Sequence, residues 1–311
     1  MKKILALTLS LVMILTCGLA SAATVGVIQL VQHPALDAAT QGFIDALKEE
    51  IPEIEVDVQN ASGDSATCAT IANTFVSNGV DLIMANATPA LQAAVAATGD
   101  IPILGTSVTD YASALEIEGI GPGIATGINV SGTTDLAPLE GQADMILELF
   151  PETKTVGLLY CSAEPNSVFQ IETVKGYLEA KGLATKDYAF ADSNDVASVT
   201  QSAVGEVDVM YIPTDNTAAS MTETIANVVI PAGLPVVAGE EGIAAGCGIA
   251  ALSISYYDLG YATGKQAAKV LGGEDVSAMP LEAAPQFTKK YNAANAEALG
   301  VVIPEDYAAI E

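Results

Sequence analysis

One recurring unit limits what this chain can fold into: an apolar run of strand length that turns polar just before a helical pattern. Thr24-Val-Gly-Val-Ile-Gln29 returns as Thr155-Val-Gly-Leu-Leu-Tyr160, and Val80-Asp-Leu-Ile83 returns as Val207-Asp-Val-Met210. Ile101-Pro-Ile-Leu104 returns as Leu234-Pro-Val-Val237. The separations are 131, 127 and 133 residues, in the same order. A single match of this kind is weak because apolar runs are common. Three at nearly constant spacing predict two lobes of one topology. Strands alternating with helices predict a doubly wound parallel sheet in each, so the expected class is α/β.

In chain order, strands are expected at Thr24–Leu30, Glu53–Val58, Asp81–Ala85, Ile101–Leu104 and Gly127–Val130. Helices are expected from Ala35 to about Glu50, at Cys68–Ser77 and at Pro89–Ala97, where apolar residues recur at helical spacing. Asp258–Leu271 reads as a last helix closed by Gly272-Gly273, and Pro285–Lys290 as a final strand. The amino terminus has the form of a secretory signal. Lys2 and Lys3 precede the apolar run Ile4–Thr16, and Ala20-Ser21-Ala22 fits the small-residue cleavage rule. Residues 1–22 are therefore excluded from the fold, and a cleaved, exported, soluble product is expected. A lipid anchor at Cys17 is disfavoured, because Thr16 stands where that processing uses Gly, Ala or Ser.

Charge and composition exclude several functions. Without residues 1–22, nine lysines face 38 acids, a formal charge of −29 that repels phosphate backbones and argues against nucleic acid. There is no arginine, no tryptophan and a single histidine, His33. A ligand carboxylate would have to be met by backbone N–H groups, hydroxyls or a lysine rather than a guanidinium fork. Cys68, Cys161 and Cys247 remain after cleavage, which allows one disulfide or none. Their spacing fits no metal site and no cofactor is expected. No Gly-x-Ser-x-Gly or Gly-x-Gly-x-x-Gly occurs at a useful place, and Gly260 to Gly264 lies inside a helical pattern where glycine serves packing. A Cys161–His33 nucleophile pair lacks an orienting group.

Candidate ligand residues cluster at predicted carboxyl ends of strands, where α/β sheets bind ligands. In the first lobe these are Thr88, within Asn86-Ala-Thr-Pro89, and Thr106 and Ser107, which place hydroxyls beside free N–H groups. The second lobe offers Asn166 and Ser167, Asp215 and Asn216, and Glu240. Asp215 or Glu240 could pair with a ligand ammonium, with Asn166 orienting it. Helix capping by Thr88, Asn166 or Ser167 and a solvated loop at Glu240-Glu241 are the plainer alternatives. His33 should lie at the cleft rim. Any stacking surface must come from Tyr111, Tyr160, Tyr211, Phe169, Tyr256 or Tyr257.

His33-Pro-Ala-Leu-Asp37, Ala87-Thr-Pro-Ala90, Val108-Thr-Asp110, Gly132-Thr-Thr-Asp135, Asn166-Ser167, Ile212-Pro-Thr-Asp-Asn-Thr217 and Gly239-Glu240 resemble the TrpX-like family of ABC-transporter substrate-binding proteins. The resemblance covers nearly the whole chain after residue 22. It implies a type I periplasmic-binding fold: two lobes joined by three crossing segments, with residues 23–131 and 256–277 in the first and 132–255 and 278–311 in the second. By that resemblance Thr88, Thr106 and Ser107 would hold a ligand carboxylate. Asp215, with Asn166 and Glu240, would take its ammonium, and Asp135, His33, Ser167 and Asn216 belong to the site. The implied function is capture of a small zwitterion, an amino acid such as tryptophan or tyrosine, by hinge closure in a monomer that feeds a membrane permease. A branched-chain amino acid, a nucleoside, a sugar, or a two-lobed enzyme are the alternatives. Cys161 departs from the family, standing where an amide is common.

Overall fold

The computed structural model describes residues 23–284 and 286–310. The expected signal segment therefore lies outside the described residues, as does Pro285. The first lobe begins with β1 (Thr24–Gln29), α1 (Pro34–Glu50), β2 (Glu55–Asn60), α2 (Ser65–Asn78) and β3 (Leu82–Asn86). It continues with α3 (Thr88–Ala97), β4 (Ile103–Val108), α4 (Tyr111–Leu115) and β5 (Val130–Thr134). The second lobe repeats the alternation with α5 (Leu139–Leu149), β6 (Thr155–Cys161), α6 (Pro165–Ala180), β7 (Ala184–Phe190) and α7 (Val196–Ala203). Then come β8 (Val209–Ile212), α8 (Asn216–Ser220), α9 (Thr222–Ala232), β9 (Val236–Ala238), α10 (Glu241–Gly246) and β10 (Ala250–Ser253). The last elements are α11 (Tyr256–Leu271), β11 (Glu282–Ala283), β12 (Thr288–Tyr291), α12 (Ala293–Leu299) and β13 (Ala308–Ala309).

The strands form two sheets, in the orders β11-β5-β4-β3-β1-β2 and β13-β12-β10-β9-β8-β6-β7. Every neighbouring pair is parallel except β10 and β12. Replacing β1 to β5 by β6 to β10 converts the run β5-β4-β3-β1-β2 into β10-β9-β8-β6-β7, with β11 added to one sheet and β12 and β13 to the other. The recurring units are thus equivalent strands of two like lobes. Even a polar detail recurs. The Asp81 carboxylate accepts from the Thr24 amide at 2.8 Å. Asp208, in the echoing Val-Asp pair, accepts from the amides of Lys154 and Thr155 at 2.8 and 2.9 Å. In both lobes this aspartate fixes the start of the first strand.

Three segments cross between the lobes: after β5, between β10 and α11, and between β11 and β12. The expected lobe boundaries at 131/132 and 277/278 fall a few residues early. β5 pairs with β4 as far as Thr134, and Glu282–Ala283 adds to β5, so both stretches belong to the first sheet. The fourth and fifth strands also sit later than expected, at Ile103–Val108 and Val130–Thr134. Their polar ends looked like loops. They are strands because α11 covers them: Thr263 meets the Thr133 hydroxyl at 2.8 Å, and Gln266 donates to the Gly132 carbonyl.

α11 returns to the first lobe and lies directly on α1. Glycines make this approach possible. A Cβ on Gly260 would overlap the Ala39 carbonyl, and one on Gly42 the Tyr257 carbonyl. Phe43 and Leu47 of α1 pack with Ala267 and Val270 of α11 over the buried Val27, Met84 and Leu104. The glycines of this stretch thus serve helix packing, as their helical setting implied. Gly260→Val should force the helices apart at a cost of about 1–3 kcal/mol. Thermal unfolding should register it as a fall of several degrees. An unchanged melting temperature would show that the two helices do not rest on each other this closely.

Candidate ligand-binding cleft

The edge of the first lobe is built from backbone that non-glycine residues rarely adopt. Between β3 and α3, Ala87 has φ 98° and ψ 158°, a region used almost only by glycine. Ser107, next to a bulge between β4 and β5, has φ 54°. Such residues cost about 1–3 kcal/mol each and persist where surrounding bonds fix them. Here the Ala87 amide donates to the Thr106 carbonyl at 3.0 Å, and the Asn86 side chain donates to the Leu36 carbonyl at 2.8 Å. The result is two buried hydroxyls, Thr88 Oγ1 and Ser107 Oγ, with no partner in the protein. Thr88 also opens α3, whose first amides have no carbonyl within the helix to reach. Thr106 differs. Its hydroxyl lies 3.2 Å from that of Thr133, inside the packing under α11.

Asp135 follows β5 where the chain leaves the lobe. Its Oδ2 accepts from the Tyr256 hydroxyl at 2.9 Å, while its buried Oδ1 has no partner. Burial raises this carboxyl above its ordinary range, against the hydrogen bond from Tyr256.

The second lobe's acids, expected as ammonium partners at Asp215 and Glu240, also make hydrogen bonds within the protein. Asp215 caps α8: Oδ1 accepts from the Ala218 amide at 2.8 Å and Oδ2 from the Cys161 amide at 2.6 Å. Glu240 caps α10, accepting from the amides of Gly242 and Ile243. Neither is the solvated loop residue considered for Glu240, since both side chains are buried. Burial, and for Asp215 the charge of Glu164, raise both carboxyls, Glu240 to about 7. Glu164, not singled out from the sequence, is the organising acid of this edge. It accepts from Asn216 N and Nδ2 at 3.1 and 2.6 Å and from Thr217 N and Oγ1 at 2.8 and 2.7 Å. Its one legible signal was its place just before Pro165 at the start of α6. Ser167 donates toward Asp215. Asn166 donates to Glu164 and to the Thr214 carbonyl, each at 3.2 Å, leaving its buried Oδ1 without a partner.

The two edges meet. His33, at the end of β1, lies 3.3 Å from Oδ1 of Asn216 in the second lobe and is only 6% exposed. It is a buried bridge rather than a rim residue. Thr88, Ser107, Asp135, Asn166 and His33, all expected from the sequence, thus each present one buried polar atom with no partner among the described residues. Two openings lie beside sequence neighbours of these residues, but none of the five lines either. One of about 240 Å³ lies between Ser62–Ser65 and Glu164, and one of about 950 Å³ lies beside the crossing segments at Ile254–Asp258 and Ala284. Of the aromatics, Tyr111 and Tyr211 are core, Tyr257 is exposed and Tyr256 holds Asp135. Cys68, Cys161 and Cys247 are all free and buried. Burial pushes the Cys161 thiol to about 11, which removes it as a nucleophile beside His33.

A family model described as ABC transporter substrate binding protein matches residues 24–310. The chain belongs to that family of substrate-binding proteins. It is 36% identical over 261 residues to a tyrosine-binding protein of Clostridioides difficile, covering 83% of this chain and 75% of that one. It is similar at 33% identity to an ABC domain from Streptococcus pneumonia in complex with L-Trp, with a TM-score of 0.88 over 94% of this chain and 100% of that one. A ligand-free, open substrate-binding protein with adhesive properties from Clostridium difficile is 36% identical, over 93% and 99% of the two chains, yet superposes with a TM-score of only 0.69. The higher TM-score is thus to the L-Trp complex and the lower to the ligand-free, open protein. The type I fold extends to a myo-inositol-bound protein from Bacillus halodurans at 16% identity.

Asp135, Asp215 and Glu240 have raised folded values, so each favours folding while protonated, and this contribution is lost as pH rises through the folded values, near 7 for Glu240. His33, lowered by burial, opposes them only below its ordinary 6.5, where the unfolded imidazole takes a proton. The ligand-free protein should therefore melt at a higher temperature at pH 6.5 than at pH 8. A melting temperature that rises over that interval would contradict the raised values of these buried acids in the ligand-free fold.

Proposed function

We propose that this substrate-binding protein captures an aromatic L-amino acid, tryptophan or tyrosine, after export and hands it to a membrane permease. It acts by binding alone and breaks no bond. Its relatives include a tyrosine-binding protein and an L-Trp complex, and residues 1–22 have the form of a signal. The observation that carries this reading is the set of unpartnered buried atoms, because their chemistry matches a zwitterion. Thr88 and Ser107 offer hydroxyl donors, with helix-start amides beside Thr88, to a carboxylate. Asp135 offers a carboxylate oxygen to an ammonium. In this reading Asp135 takes the ammonium because its Oδ1 has no partner among the described residues, whereas each Asp215 oxygen already accepts one amide.

Closure follows from the same geometry. Asp135 is held by Tyr256 at the start of α11, so an ammonium bound there touches two of the three crossing segments. A ligand that contacts both lobes favours the arrangement in which both sets of contacts form.

A calorimetric screen of the twenty amino acids should find L-Trp or L-Tyr the tightest ligand. Removing one charge-assisted bond should cost about tenfold to a hundredfold in affinity for Asp135→Asn or Ser107→Ala. Unchanged affinity in both variants, with the protein folded, would remove these residues from the ligand site.

A further inference from the structure

The bridge between His33 and Asn216 determines which imidazole nitrogen carries the proton. Asn216 Nδ2 donates to Glu164 Oε2 at 2.6 Å, so the other end of that amide, Oδ1, faces His33. An amide oxygen only accepts, so His33 Nε2 is the donor. Burial holds the imidazole below its ordinary value, against the Asn216 bond and the nearby Glu164 and Asp37, and so keeps it neutral. Nδ1 is then a bare acceptor. It is buried, and no protein donor reaches it.

The ligand's ammonium is too far away to serve it. Asp135 follows β5 and His33 follows β1, with β4 and β3 between them in the sheet. Three interstrand steps separate the two by about 14 Å. Subtracting a hydrogen bond of about 3 Å at each end leaves roughly 8 Å for the ligand to span. Ser107, on β4, and Thr88, which opens α3 just after β3, lie between these ends. An amino acid with its ammonium on Asp135 and its carboxylate on Ser107 and Thr88 therefore extends its side chain towards His33.

We propose that His33 is the specificity-determining residue of the cleft: its Nδ1 accepts a hydrogen bond from a donor on the ligand's ring, a phenol O–H or an indole N–H. This rests on the amino-acid reading above and narrows it to aromatic ligands that carry such a donor. A site with a buried acceptor discriminates against the analogue that leaves it empty. The class it admits is aromatic amino acids with a polar ring atom, and the class it rejects is their apolar counterparts of the same shape.

The test compares pairs that differ only in that donor, by calorimetry on the full-length exported protein. L-Phe should bind at least about tenfold more weakly than L-Tyr, and 3-benzothienyl-L-alanine, with sulfur for the indole N–H, at least about tenfold more weakly than L-Trp. In His33→Leu the gap within each pair should close to about threefold or less. Equal binding within both pairs in the wild-type protein would overturn the proposal, and that comparison stands whether or not the variant folds. An equal loss for all four ligands in His33→Leu would also overturn it, placing the ammonium at Nδ1. Absence of binding by every aromatic amino acid would instead overturn the functional reading beneath it.

Discussion

Four carboxylates, those of Asp135, Glu164, Asp215 and Glu240, are buried where the two lobes meet, and the chain has no guanidinium to offset them. The paired lysines among the described residues are partly exposed and bound to surface acids such as Asp187, Glu206 and Glu148, and Lys290, beside the larger opening, lies 3.9 Å from Glu241. Burying a carboxylate without compensation is costly, so the fold surrounds three of the four with amide and hydroxyl donors. Helix starts supply most of them. The exception is Asp135, whose Oδ2 accepts from Tyr256 and whose Oδ1 has no partner among the described residues. In the proposed reading, the ligand's ammonium completes that oxygen.

The duplication explains where that asymmetry came from. Both lobes inherit the same strand order and the same aspartate clamp on the first strand, Asp81 and Asp208. At the offset of 127 residues that relates Val80 to Val207, Thr88 corresponds to Asp215. These equivalent residues have parted in use. Thr88 keeps its hydroxyl free at the edge of the first lobe. Asp215 spends its carboxylate bracing β6 against α8. One lobe contributes unspent polar groups and the other a pre-braced wall, which is how two copies of one unit can grip a ligand that is itself unlike at its two ends.

Much of the fold was legible because apolar runs of strand length are hard to bury any other way. The three echoes located equivalent strands, and the glycines of α11 were read correctly as packing. The strand ends were misplaced where polar residues are buried: Thr106, Ser107 and Gly132–Thr134 look like loop until α11 is known to cover that edge. The site was legible as a set of positions and less so as a set of roles. Carboxyl ends of strands gave His33, Thr88, Ser107 and Asn166 their places, and the family resemblance gave Asp135. Which acids would already be satisfied depended on the amides that surround them, and those belong to helices remote in sequence: Glu164 is 52 and 53 residues from its partners Asn216 and Thr217. Capping preferences named the residue types, but only the folded chain decides which cap is full.

The central claim is that the cleft grips both poles of a zwitterion through neutral donors at one end and a buried carboxylate at the other. Titrating L-tryptophan against tryptamine, which lacks the carboxylate, and indole-3-propionate, which lacks the ammonium, tests it most directly. Each truncated ligand should lose at least about a hundredfold in affinity. If either one binds as tightly as the amino acid, the pole it lacks is not held, and the account of this cleft is wrong.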